Sequence, residues 1–307
     1  MYAAASSEHV YDRDVGHNTV AHHQAREFIK DTSSLISLPE VCLKLRSILD
    51  NPSHIQKDVA EVIIHDPALT VRLLRIVNSA YYGLSRPVEN INHALGILGE
   101  EELNNLIIVT SIINTMSAFS DKSRINLFWR SSIFSAVLAN TLAGEVVESR
   151  EDAQEFFITG LLLNVGKLML YHTEPGLYDQ IASEMAKTGE PDYVIEQKFL
   201  GFDHSTVGAV MAESWNFSME MMENIAGHHS ESPEEGHWSQ SIMYIAAFYA
   251  DRLNFTNAKE PGFESVTLDH PELLGKLNIG EEYFEEILQE SFASYLQAFE
   301  LFCGESA

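Results

Sequence analysis

The sequence predicts an all-α protein: a large multi-helix lobe packed against a smaller N-terminal helical bundle. Three observations carry this. Apolar residues recur at helical spacing from about Ala21 almost to the end. Helix-start signals stand in front of several of these stretches. Sustained apolar–polar alternation, the mark of a half-buried strand, is missing. Only IIVTSII, 107–113, has a strand-like composition, and its length and helical neighbours favour helix.

The elements follow in order. Residues 1–20 are polar and His-rich and are expected to form a flexible N-terminus. Ser37, Pro39 and Glu40 resemble a capping box that opens a helix through Ile48. Ser53 and Gln56 repeat the pattern ahead of DVAEVIIH. Asp66-Pro67 reads as an N-cap with Pro at the first helical position. The helix that follows puts Leu69, Leu73, Ile76 and Val77 on one face, with Leu74 flanking and a stop at Tyr82-Gly83. INHALGILG ends at Gly96 or Gly99, and EELNNLIIVTSIINTM follows as a buried helix. The polar stretch SAFSDKSRIN, 117–126, separates a first lobe, 21–118, from a second, 123–300. That second lobe runs through FWRSSIFSAVLANTLAGEVV, AQEFFITGLLLNVGKLMLYH, YDQIASEMAK, YVIEQKFLG, STVGAVMAESW, MEMMENIAGHH and SQSIMYIAAFYADRLNF. NFTNAKEPGFESV reads as a loop, and the helix over 280–299 closes the lobe with an acidic, solvated face.

Composition narrows the function. A chain of 307 residues with 45% hydrophobic and 21% charged content is that of an ordinary globular protein. Its formal net charge of −26 repels nucleic acid and anionic membranes, and no Lys/Arg cluster offsets it, so neither is expected as a partner. Cys42 and Cys303 make no disulfide framework, which fits a reducing cytoplasm. No secretory leader or membrane span is expected.

The stretch GLLLNVGKLML, Gly160 to Leu170, places Asn164 and Lys167 in an apolar run. A phosphate loop fails on spacing: five residues separate the glycines, and Leu168 stands where a hydroxyl residue would bind magnesium. Nucleophilic catalysis has no G-x-S-x-G, and Cys42 reads as a small buried hydrophobe. Among the 13 histidines the sharpest cluster is His204, His228 and His229, with His172 upstream. These could hold a metal, or cap a helix end and meet its dipole. Trp129, Trp215 and Trp238 read as packing residues.

Taken in order, LPEVCLKLRSIL, HDPALTVRLLRIVNSAYYG, INHALGILG, FWRSSIFSAVLANTLA, FFITGLLLNVGKLML, LGFDHSTVGAVMAESW and IAGHH make the chain similar to HDOD proteins, output-type relatives of the HD metal-dependent phosphohydrolases. The resemblance runs from about Leu35 to Phe299 and implies an HD-domain-like second lobe. It also implies a degenerate centre. Where the hydrolases have a His-Asp pair before Gly-Lys, this chain has Leu163-Asn164 before Val165-Gly166-Lys167. Activating water there needs an imidazole and a carboxylate on divalent metal; Leu163 has no lone pair and Asn164 no charge. Ser131 stands at an upstream His position and Ala247 near the final Asp, with Asp251 one turn on. His204, His228 and His229 remain at positions resembling outer ligands.

The resemblance therefore implies no catalytic residue, no metal and no cofactor, and a bacterial regulatory module acting by contact with signalling proteins in trans, or with a second copy of itself. Two alternatives stand: a residual phosphohydrolase or phosphodiesterase on the histidines, and a sensor binding a nucleotide or other anion in the relict pocket of Ser131, Leu163, Asn164, Lys167, His204, His228 and His229. Lys167 either packs its stem and reaches a carboxylate or helix terminus, or holds that anion. Asn164 is expected to bond backbone groups. In the first lobe Asp66, Pro67, Asn78 and Ser79 form a signature whose reading is a closed helix end or a partner surface.

Overall fold

The computed structural model describes residues 19–30, 40–78, 82, 84, 86–116, 122–147, 150–230, 238–252 and 271–303. Among them are fifteen helices and no strand. Residues 1–18, Ser37, Pro39, Ser79, Tyr81, Gly83, residues 117–121 of the polar break and the loop at 254–266 lie outside the described residues, whereas Thr19 and Val20, expected in the flexible N-terminus, are helical.

The first lobe comprises α2 (Glu40–Leu49), α3 (Gln56–Ile64), α4 (Pro67–Val77) and α5 (Ile91–Met116), with α2, α3 and α4 each packed on α5. Helix α3 begins later than the Ser53 cap predicts. Its cap is Ile55, whose N–H donates to Asp58 Oδ2 at 3.0 Å. The Ser53 N–H is taken instead by Asn51 Oδ1, which holds Ser53 in a turn. Helix α4 starts as expected: Asp66 Oδ1 accepts from the Leu69 N–H at 3.0 Å, and Pro67 sits in the first turn. Leu69, Leu73, Ile76 and Val77 are buried, while Val71 is exposed. The helix stops at Val77, five residues short of Tyr82, because Asn78 diverts the chain. Its Nδ2 donates to the carbonyls of Leu74 and Val88, and its Oδ1 accepts from the Val88 N–H. Tyr82 is buried and donates to Glu102. Gly99, at φ +80°, lets α5 bend between its INHALGIL and EELNN parts.

The second lobe is built on α6 (Lys122–Val146), against which α7 (Arg150–Leu162), α13 (Trp238–Arg252) and α15 (Glu281–Cys303) pack. A turn at Leu163–Asn164 divides the apolar run Gly160–Leu170, separating α7 from α8 (Val165–Thr173). Then come α9 (Pro175–Thr188), α10 (Asp192–Leu200), α11 (His204–Ser214), α12 (Met219–Gly227) and the short α14 (Glu272–Lys276). Helix α8 lies against α11, and α11 against α12. Gly166 makes the first crossing close: a Cβ there would collide with the carbonyl of His204 and lie 2.8 Å from the Gly208 nitrogen. Trp129 and Trp215 are buried, and Trp238 stacks on Phe156 at 5.4 Å.

Helix α1 (Thr19–Ile29) departs from the predicted boundary. Its sequence position assigns it to the first lobe, yet it packs on α11 of the second. Ala25 is fully buried, Phe28 meets Phe202 edge-on at 5.5 Å, and Arg26 pairs with Glu213. Order along the chain does not fix which lobe buries an amphipathic helix. Contacts of α5 with α7 and of α4 with α15 join the lobes, and the buried residues of both form one contiguous core. No helix among the described residues is long and apolar enough to cross a membrane.

Candidate functional site

The end of α12, the start of α11 and one face of α10 bring a set of titratable side chains together. Asp203 caps α11, its Oδ1 accepting from Thr206 N at 3.0 Å and from Ser205 Oγ at 2.6 Å. That cap points His204 inward, where it is wholly buried. Both the backbone N–H and Nδ1 of His204 meet Glu196 Oε2, at 2.8 and 2.6 Å. Glu196 is itself buried at 1% exposure, so the pair is shielded from solvent. His228 terminates α12, with Nδ1 2.6 Å from the Ile225 carbonyl oxygen. His229 Nε2 lies 2.8 Å from His204 Nε2, and its ring stacks on Tyr193 at 4.1 Å. His172 is exposed and does not join the group.

Electrostatics separates the three imidazoles. Burial favours the neutral form of His204, but the Glu196 carboxylate overrides it and raises its pKa. Burial and the His204 charge push His228 down to about 3. Burial, reinforced by His228 and His204, also holds His229 well below the ordinary histidine range. Asp203 would be raised by burial, yet His204 and its hydrogen bonds hold it low.

The Leu163–Asn164 turn supplies no counterpart to this cluster. Leu163 is fully buried. Asn164 is the N-cap of α8 without a side-chain capping bond, and its Oδ1 is buried with no hydrogen-bond partner, contrary to the expected backbone-bonding role. Ser131 donates to the Ala250 carbonyl at 3.3 Å, tying α6 to α13, and Ala247 is buried.

Lys167 is buried at 8% exposure, and its Nζ lies 2.8 Å from Asp192 and 3.7 Å from Asp251. Burial opposes its charge, but the two carboxylates prevail and hold its pKa well above the ordinary lysine value. Burial alone would raise Asp192; the Lys167 ammonium instead keeps that carboxyl below the usual range. This lysine reaches carboxylates, as its packing reading requires, and its charge is already matched.

Sequence reasoning missed Asp192 and Glu196. Their signal is faint: two acids four residues apart share one face of α10, ahead of His204. It also missed a cavity of about 390 Å³ between the lobes, lined by Arg46, His54, Glu100, Asn104, Trp215 and Phe217 among others.

Residues 35–231 match the family described as the HDOD domain. An uncharacterized protein of Treponema pallidum (strain Nichols) is 25% identical over 228 residues, covering 73% of this chain and 43% of that protein, so the chain spans less than half the length of this curated relative. Among solved structures, an HDOD domain protein of unknown function from Geobacter sulfurreducens aligns with TM-score 0.68 at 20% identity, over 92% of this chain and 98% of that one. A provisionally named phosphohydrolase from Shewanella amazonensis SB2B gives 0.66 at 22% identity, over 90% and 96%. A provisionally named signal transduction protein from Marinobacter aquaeolei VT8 gives 0.63 at 18% identity, over 93% and 67%. These three share the all-helical fold.

Proposed function

Because the chain belongs to the HDOD family, we propose that it is a bacterial regulatory module that works through protein–protein contact and does not hydrolyse phosphoesters. One observation carries this reading: the turn between α7 and α8 holds a buried Leu163 and an uncharged Asn164 where a hydrolase of the HD type needs an imidazole and a bridging carboxylate. Without that pair, two metals cannot be clamped on either side of an attacking water. The name of the signal transduction relative from Marinobacter aquaeolei accords with a regulatory role.

The phosphohydrolase alternative has the His204, His228 and His229 cluster in its favour, and the name of the Shewanella relative. It lacks the carboxylate beside them that would hold a second ion at the α7–α8 turn. The anion-sensor alternative rests on Lys167, and a ligand there would have to displace Asp192 from a 2.8 Å contact.

The test is turnover. The full chain is incubated with phosphomonoester, phosphodiester and cyclic dinucleotide substrates in the presence of magnesium, manganese or zinc. The expected result is no hydrolysis beyond that of a His228→Ala variant. Hydrolysis that this variant abolishes would overturn the proposal. Affinity capture from the native host is expected to enrich a specific signalling protein; a harvest of housekeeping contaminants alone would count against contact-based regulation.

A further inference from the structure

We infer that His204, His228 and His229 form a mononuclear site for a divalent transition metal of the zinc class. The sequence, read alone, assigns no metal here. The inference is independent of whether the protein turns over substrate.

The geometry carries it. One ligand atom from each imidazole lies within 4.8 Å of the others. The tautomers are fixed by partners that can only accept. The Ile225 carbonyl takes a hydrogen from His228 Nδ1, and the Glu196 carboxylate takes one from His204 Nδ1. His204 and His228 are each left with Nε2 for a ligand, and His229 Nε2 lies beside that of His204, so a metal would replace the hydrogen the two nitrogens share. His228 Nε2 is buried and has no hydrogen-bond partner. Helix capping explains Nδ1 of that residue and leaves the orphaned Nε2 without a role, whereas a metal supplies one. Glu196 and the Ile225 carbonyl are the outer partners that orient metal-binding histidines elsewhere. Tyr193, stacked at 4.1 Å, sets the plane of the His229 ring.

Zinc–imidazole bonds of about 2.0–2.1 Å put tetrahedral ligand atoms roughly 3.3 Å apart. The His204–His229 nitrogen pair, at 2.8 Å, has only to open slightly. Three neutral imidazoles suit zinc or a similar ion and not magnesium or calcium, which take oxygen ligands. The surroundings favour a cation: the Glu196 carboxylate lies 2.6 Å from His204 Nδ1, Asp203 caps the same helix start, and Lys167 is paired with Asp192. Asp192, Glu196 and His204 form a second group within 4.8 Å, but Glu196 is engaged with His204 Nδ1 and Asp192 with Lys167, so a water takes the fourth position.

The untagged full chain, purified without chelators, is expected to carry about one zinc-class ion by elemental analysis. After chelation and reloading with cobalt(II), it is expected to show the intense visible bands of a tetrahedral nitrogen site. Zinc added to the chelated protein is expected to raise Tm. All three readouts should vanish in His229→Ala, a half-buried position, and in His228→Ala. Because either variant could fail to fold, Glu196→Gln provides a milder change: native circular dichroism with metal affinity about 10- to 100-fold weaker. A chain that takes up no metal and gives no cobalt bands overturns the proposal. So does metal retained undiminished by all three variants, which would place it on other histidines. Phosphoester turnover by the loaded protein would sink the regulatory reading and leave this one standing.

Discussion

At the scale of single residues, Lys167 shows why a charge can sit in an apolar run. Its Nζ meets Asp192 at 2.8 Å, with Asp251 beyond, so removing it would strand a largely buried carboxylate. Lys167→Met is expected to cost about 3–5 kcal/mol in urea unfolding. Adding Asp192→Asn is expected to restore much of that loss, because the pair is then replaced by neutral groups. The acid limb of stability gives the same answer. Asp192 has a folded pKa below its unfolded value of about 3.9, so it supports the fold above that pH and the support drains away as pH falls through the folded pKa. Lys167→Met removes this support, and the acid unfolding midpoint by circular dichroism should move to higher pH. An unchanged midpoint would mean that the contact contributes nothing. The lysine's oddity was legible in the sequence, since an unpartnered buried ammonium is untenable. Its partners were not, because Asp192 and Asp251 lie far along the chain and only packing brings them together.

At the scale of helices, two contacts decide how elements are held. Helices α8 and α11 cross where Gly166 faces the His204 carbonyl, and a methyl group has no room there. Gly166→Ala is expected to destabilise by about 1–3 kcal/mol or more through overpacking. It should also displace the start of α11, so the His204–Glu196 pair loosens in the same variant. The second contact ties the segment before α3 to α5: His54 Nε2 lies 2.7 Å from Glu100 Oε2. The hydrogen bond to Glu100 raises the His54 pKa above that of the free imidazole. A raised histidine pKa gives stability that is full below the unfolded value of about 6.5 and is lost as pH rises through the folded one. Melting curves should therefore show a small loss of Tm across that window in the native chain and none in His54→Gln. The start of α4 was legible and its stop was not. Asp66 satisfies the Leu69 N–H three residues away, a local rule that sequence displays. The stop at Asn78 depends on bonds to Val88, ten residues on, and no propensity encodes them.

For the whole molecule, periodicity revealed the helical class and the faces that form the core, and motif order revealed the family. The assignment of α1 was not legible, because its narrow buried stripe of Ala21, Ala25 and Ile29 is generic and fits any apolar neighbour; packing on α11 decides it. The His204–Glu196 pair stayed hidden for a related reason: buried acids look like solvated ones until the fold closes over them. The same closure bears on cooperativity. The lobes share one contiguous core through the α5–α7 and α4–α15 contacts, so opening one exposes apolar surface of the other. They are expected to unfold as one unit. The chain carries reporters for this. Its three tryptophans, Trp129, Trp215 and Trp238, all lie in the second lobe, while Cys42 is buried in the first at 1% exposure. In a Cys303→Ser background, Cys42 reactivity toward a thiol reagent reads the first lobe, and tryptophan fluorescence reads the second. The two urea midpoints should coincide. Cys42 reacting well before the fluorescence changes would show that the first lobe opens alone, and that the shared core does not couple them.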